Sequence, residues 1–173
     1  IPVFESEPRA FEDIASSLER LSHLAGTDVT GKKAAHEFRE RVQTLSSHYR
    51  DRAPVTVVYQ IWHDPLMTLN GDHLISSAIR LCGGRNVFGN LPQLTPVVDI
   101  EAVLKANPET IISDSDGGDD AFALWRRYPQ LNAVARGNLF TIESDLLTRG
   151  GPRMVDGTEA LCRKLDEARS KRK

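Results

Sequence analysis

Long hydrophobic runs are missing from this chain. No stretch of about 18 apolar residues occurs, so nothing has the length of a membrane-spanning helix. An excess of charge is missing as well. The 22 Lys and Arg stand against 24 Asp and Glu, a net of −2, and give no electrostatic case for binding nucleic acid. The one basic cluster is the C-terminal Arg-Ser-Lys-Arg-Lys, which reads as the solvated end of a helix. Cysteine is scarce. Cys82 and Cys162 form no C-x-x-C pair, so they are either two buried thiols of a reducing compartment or one disulfide of an exported protein. The residues alone leave both open. The chain starts at Ile1 with no Met and no signal peptide, which reads as a piece cut from something longer.

The motifs of common chemistries are also missing. There is no P-loop, nucleophile elbow or dinucleotide fingerprint, and the glycines of "GGRNVFG" end a helix instead of opening one. In "DSDGGDD", counting from Asp114, the sixth position is Asp119 and the twelfth Trp125, where a calcium loop needs Gly and a carboxylate. That segment reads as a polar turn and helix cap. His63, Asp64, Asp72 and His73 match no zinc spacing. No catalytic residue, metal or cofactor is assigned.

What is present is pattern. The 173 residues are enough for one domain with a core, or a lobe plus an appendage. Phe11, Ile14, Leu18, Leu21 and Ala25 recur at helical spacing. A second helix is expected from about Lys32 to Tyr49, with Phe38, Val42, Leu45 and Tyr49 inward. "DRAP" stops it, because the residue before Pro54 resists the α region. After Pro54 the pattern alternates. "VTVVYQI", "NVF", "ETIISD" and "GNLFTIE" read as strands. Between and after them, "GDHLISSAIRLCGG", "DIEAVLKANP", "DDAFALWRRYP" and "GPRMVDGTEALCRKLDEARSK" read as helices. Strand–helix alternation gives an α/β class: a small parallel-sheet lobe flanked by helices (54–173), preceded by a helical segment with a long helix (1–53).

In an open parallel sheet, ligands bind beyond the carboxyl ends of the strands. The loops there hold Trp62, Leu66, Met67, Leu91, Leu94, Leu146 and Leu147, with one guanidinium, Arg149. An apolar rim with few charges suits a large, partly apolar ligand.

The stretches "YQIWHDPLMTLNG…HLISSAIRLCGGRNVFG", "VVDIEAVLKANPETII" and "GNLFTIESDLLTRGGPRMVDGTEALC" resemble the periplasmic vitamin B12 binding proteins. These are the cobalamin-binding members of the helical-backbone solute-binding proteins of ABC importers. The match runs in order from the linker to the last helix. The resemblance implies a non-enzymatic periplasmic protein with two α/β lobes joined by a long rigid helix and a corrinoid held between them. This chain would supply the end of the N-terminal lobe with the linker (1–53) and the C-terminal lobe (54–173), Ile1 to Phe4 being the last piece of the first lobe. It also implies that Arg149 faces the cleft, that Glu101 docks into the membrane permease, and that Cys82 and Cys162 form a disulfide. Where the family often offers an aromatic to the corrin, this sequence has Thr95, so that contact is expected to be either weakened or supplied by Trp62. Trp62, Leu66, Met67, Leu94, Leu147 and Arg149 are therefore the expected ligand set.

Two other readings stay beside this one. The ligand of the same fold is haem or a ferric siderophore, or the lobe is an enzymatic or metal-binding domain using His63, Asp64 and His73. A lobe separated from its partner is also expected to dimerise through its uncovered apolar surface.

Overall fold

The computed structural model describes residues 7–114 and 121–172. Residues 1–4, read above as the tail of a preceding lobe, and positions 115–120 of the acidic turn lie outside the described residues.

Two antiparallel helices open the chain, α1 (Phe11–Leu24) and α2 (Asp28–Tyr49). They cross closely where Gly31 meets Ser22: a Cβ on Gly31 would stand 1.9 Å from the Ser22 Oγ. Arg39 on α2 ties the pair together. Its Nε donates to Glu12 at 3.0 Å and its Nη1 to Glu19 at 2.6 Å. The expected α1 stripe is only partly inward. Ile14 is buried, Phe11 and Leu18 pack against the core, and Leu21 is exposed because the stripe outruns its cover.

Then follow β1 (Val55–Gln60), β2 (Trp62–His63), β3 (Leu66–Met67), α3 (Leu74–Leu81), β4 (Gly84–Asn86), α4 (Ile100–Ala106) and β5 (Thr110–Asp114). The chain ends with α5 (Asn132–Ala135), β6 (Leu139–Ile142), α6 (Ser144–Leu147) and α7 (Met154–Ser170). The expected helix over "DDAFALWRRYP" is instead a run of turns with a 3-10 turn at Trp125–Arg127. α7 begins at Met154, with Pro152 just ahead of it.

Four strands form one parallel sheet in the order β4-β1-β5-β6. Alternation along the strands divides the core, because successive side chains point to opposite faces. Val57, Tyr59 and Ile112 pack with α3, α7 and the α1–α2 pair. Val58 and Ile111 pack with Val103 of α4, Trp125 and Leu131. Both faces are covered, and β5 is accordingly buried along its whole length.

The disulfide is formed between Cys82, at the end of α3, and Cys162 in α7, with S–S 2.03 Å. The basic C-terminus is not a solvated tail. Arg169 donates to the carbonyls of Ala53 at 2.8 Å and Cys82 at 2.6 Å. Arg172 donates to Glu109 at 2.7 and 2.9 Å, at the entry of β5. These guanidinium groups satisfy backbone carbonyls and a carboxylate at the amino ends of the strands, opposite the expected ligand edge.

Burial pushes the Glu109 carboxyl up, but hydrogen bonds from Arg172 and the Thr56 N–H, with the charges of Arg172 and Arg136, outweigh it and hold it below its ordinary range. A carboxyl with a lower folded pKa stabilises the fold above its unfolded pKa, and that stability is lost as pH falls through the folded value. Urea midpoints are therefore expected to drop below about pH 4.5, with Glu109→Gln flattening that acid limb. An acid limb of equal steepness in the variant would rule Glu109 out as its source.

Candidate functional site

The carboxyl ends of the strands carry the expected rim, and backbone pairing decides which side chains reach it. β1 leaves the sheet at Gln60 and turns at once into the β2–β3 hairpin, across a cis Asp64–Pro65 bond. Trp62 pairs with Met67, and Met67 pairs in turn with Val97 of the distant 94–98 segment. That segment runs antiparallel to 66–70. The Val98 N–H donates to the Leu66 carbonyl, Thr68 N–H to Pro96 and Asn70 N–H to Leu94, each at 3.0 Å. Directly paired residues share a face of a ribbon, so Trp62, Met67 and Val97 stand together and Leu66 points the other way. Exposure agrees: Trp62 is 49% exposed and Val97 61%, while Leu66 is 7% exposed and packs into the core with Val58 and Trp125.

Trp62 is held rather than loose. Its indole N–H donates to the Asp64 carbonyl at 2.8 Å, and its ring lies on His63 with centroids 5.3 Å apart. Among the described residues, the large exposed apolar side chains fall in two places. Trp62, Leu94 and Val97 mark the rim; Leu21, Leu24 and Val29 mark the turn between α1 and α2.

Beside the ribbon lies a cleft of about 280 Å³, lined by Leu94, Leu147, Thr148, His73, Arg9 and Pro8 among others. It is framed by loops that follow β1, β4 and β6, with the chain just before α1 as its fourth side. Gly150 admits that segment: a Cβ there would stand 2.3 Å from Pro8. Leu147 is 1% exposed and forms the floor, because the single turn of α6 tucks it into the core with Met154 and Val155. Leu66 and Leu147 thus differ from the expected ligand-facing set: both are used chiefly in packing their own lobe. Leu94, 43% exposed, keeps its surface.

Arg149 stands at the lip between Thr148 and Gly150. Its side chain is 78% exposed and pairs with Asp145, one helical turn back, at 3.0 Å. Glu101 is elsewhere, in the first turn of α4 just past the 94–98 segment, and exposed. Asp99 caps that helix, its Oδ1 accepting the Ala102 N–H at 2.7 Å. Thr95 is exposed between Leu94 and Pro96.

His63, Asp64 and His73 are not brought together as a metal site. His63 lies against Trp62 on the hairpin, whereas His73 caps α3, its Nδ1 accepting the Ile75 N–H at 3.2 Å. No group of three metal-ligating side chains forms among the described residues. Burial lowers the His73 pKa, so its ring is favoured neutral. Sequence reasoning missed Val97 and the placement of His73 in the cleft wall. No local period in "LTPVV" marked Val97, and none marked His73.

This geometry, an apolar ribbon and a shallow cleft at the tips of a parallel sheet, can be compared with known proteins. A vitamin B12-binding protein of Vibrio cholerae serotype O1 is 33% identical over 161 residues, covering 92% of this chain and 58% of its own length. A vitamin B12-binding protein of Photorhabdus laumondii is 36% identical over 169 residues, covering 96% and 59%. The chain thus spans less than two thirds of the length of these relatives. The crystal structure of the periplasmic vitamin B12 binding protein of Vibrio cholerae superposes with a TM-score of 0.86 at 32% identity, over 96% of this chain and 65% of that one. A periplasmic haem-binding protein from Roseiflexus superposes at 0.83 with 15% identity, over 93% and 65%, which shows a shared fold alone. The profile of the periplasmic binding proteins matches residues 1–146, and the chain belongs to that family.

Proposed function

We propose that this chain forms one wall of the ligand cleft in an exported solute-binding protein of an ABC importer, and that the cargo is cobalamin or a related corrinoid. The observation that carries the reading is identity of 33–36%, over more than nine tenths of the chain, with proteins named for binding vitamin B12. The rim is consistent with it. Trp62, Met67, Val97 and Leu94 offer apolar surface, Arg149 offers a guanidinium at the lip, and Leu66 and Leu147 support them from beneath. The cleft, about 280 Å³, is smaller than the range that encloses a drug-sized ligand. A bulky cargo is therefore shared with an opposing surface, the second lobe of a two-lobe protein, with residues 1–53 leading into the lobe formed by 54–173. Glu101 is exposed at a helix start, where the dipole favours a carboxylate, and serves as the contact to a basic patch of the permease. The buried Cys82–Cys162 bond suits an oxidising compartment, the periplasm.

Titration of the full-length protein with cyanocobalamin, haemin and a ferric hydroxamate, followed by Trp fluorescence and absorbance, tests this. Saturable one-to-one binding of cyanocobalamin is expected, with the other two weaker, and Trp62→Ala is expected to weaken it about tenfold or more, as loss of a stacked aromatic anchor does. Tighter binding of haemin or the hydroxamate, or no saturable corrinoid binding, overturns the assignment.

A further inference from the structure

His73 lines the cleft and has one of its two ring nitrogens already engaged. It precedes α3 in an extended conformation, φ −70° and ψ 142°, and its Nδ1 accepts the Ile75 N–H at 3.2 Å. An imidazole nitrogen that accepts a hydrogen bond carries no proton, so in the neutral ring the proton sits on Nε2. The neutral form is favoured by burial. The ring lines the same cleft as Leu94, Leu147 and Thr148. No bond from Nε2 is formed among the described residues, whereas Asn70 and Ser76 of this loop are already engaged. Asn70 Oδ1 accepts the Asp72 N–H at 2.9 Å, and Ser76 Oγ donates to the Asn70 carbonyl at 2.5 Å.

We infer that His73 is a specificity-determining residue of the cleft, which donates Nε2–H to a neutral acceptor on the cargo, an amide carbonyl oxygen of a corrinoid side chain, and does not ligate the cargo's metal. The inference rests on the corrinoid reading above. Its logic is that of tautomers. Metal ligation through Nε2 requires the lone pair there and moves the proton to Nδ1, which removes the acceptor from Ile75 N–H and uncaps α3. Donation through Nε2 keeps the cap. The cleft sets Glu7, Arg9 and Asp72 beside Leu74, Leu94 and Leu147, and a donor left without an acceptor on binding costs affinity, so one donor discriminates amide-fringed ligands from ligands that present only apolar edges.

Two substitutions separate cap from donor in the full-length protein. In His73→Asn the side-chain oxygen still caps α3 but nothing reaches the Nε2 position. In His73→Gln the amide reaches that position and caps poorly. His73→Asn is expected to keep the parent's Tm and lose about 5- to 10-fold in cyanocobalamin affinity. His73→Gln is expected to lose Tm and keep affinity within about twofold. Long-range ¹⁵N–¹H spectra of the parent are expected to give the Nε2–H tautomer, and aquocobinamide, with exchangeable axial positions, to bind without a shift of its visible bands. A parent that binds no corrinoid overturns the functional reading and this inference together. A parent that binds, with His73→Asn equally tight, with the Nδ1–H tautomer, or with shifted cobinamide bands lost in His73→Asn, overturns this inference alone.

Discussion

Removing the disulfide, as Cys82→Ala with Cys162→Ala, is expected to cost about 4 kcal/mol of folding stability. The bond closes a loop of 80 residues, nearly half the chain. In the chain-entropy account, such a cross-link acts on the unfolded ensemble by forbidding its most extended members, and the effect grows with the logarithm of the loop. Both cysteines lie in the packed core with Ile79 and Leu165, at 0% exposure. A second signature follows. Without the cross-link the unfolded chain exposes more surface, so the slope of stability against urea is expected to rise while the midpoint falls. Burial also makes the bond unreachable in the native state. A reductant should therefore act only under conditions where the protein unfolds, and the oxidised fold should resist it. A change below about 1 kcal/mol would mean that packing of α3 on α7 carries the interface without the bond. The consequence for the site is direct. α3 runs from His73 in the cleft wall to Cys82 at the bond, so the disulfide fixes the far end of the helix whose near end meets the cargo.

How far the sequence revealed this arrangement depends on the range of the interactions concerned. Strands β1, β5 and β6 and the helices α2, α3, α4 and α7 were legible, because each carries its own apolar residues; β4 (Gly84–Asn86) holds none and lies just ahead of the expected "NVF", of which it includes only Asn86. Gly83 was legible as a stop, and its φ of +71° is the left-handed conformation that only glycine adopts freely. The β2–β3 hairpin was not legible. Two-residue strands carry no period, and this pair exists because residues 94–98, some 30 positions on, supply its third strand. The same distant pairing decides that Met67 shares a face with Trp62 while Leu66 is buried. Leu147 was misjudged for a related reason: α6 is a single turn, too short to show which side faces in. Arg169 and Arg172 looked like a solvated tail because nothing local indicates that their acceptors are Ala53, Cys82 and Glu109. Cys82 and Cys162 were two open alternatives by composition, and only family resemblance paired them.

Breaking the hydrogen bonds of Gln60 is expected to cost nearly as much as losing the disulfide. Gln60 ends β1, directly before the hairpin that carries Trp62, and is 2% exposed. Its Nε2 donates to the Ala121 carbonyl at 2.8 Å, and its Oε1 accepts the Trp125 indole N–H at 2.6 Å. One amide thus joins the tip of β1 to the chain that returns from the loop after β5, and Trp125 is at 0% exposure in that junction. Gln60→Met keeps the length of the side chain and removes both bonds, leaving a buried N–H and a buried carbonyl without partners. At about 1–3 kcal/mol for each orphaned group, a loss of about 3 kcal/mol is expected. Trp125→Phe removes the indole donor and leaves Oε1 orphaned, with some lost volume, for about 2–3 kcal/mol. The double variant decides between bonding and packing. With the indole N–H gone, Gln60→Met orphans one group fewer, so the two losses should sum to more than the double loss by about 1 kcal/mol or more. Urea unfolding of the four proteins gives this coupling. Additivity within about 0.5 kcal/mol would show that the amide and the indole are held by packing around them, and that the loops after β1 and β5 are anchored independently.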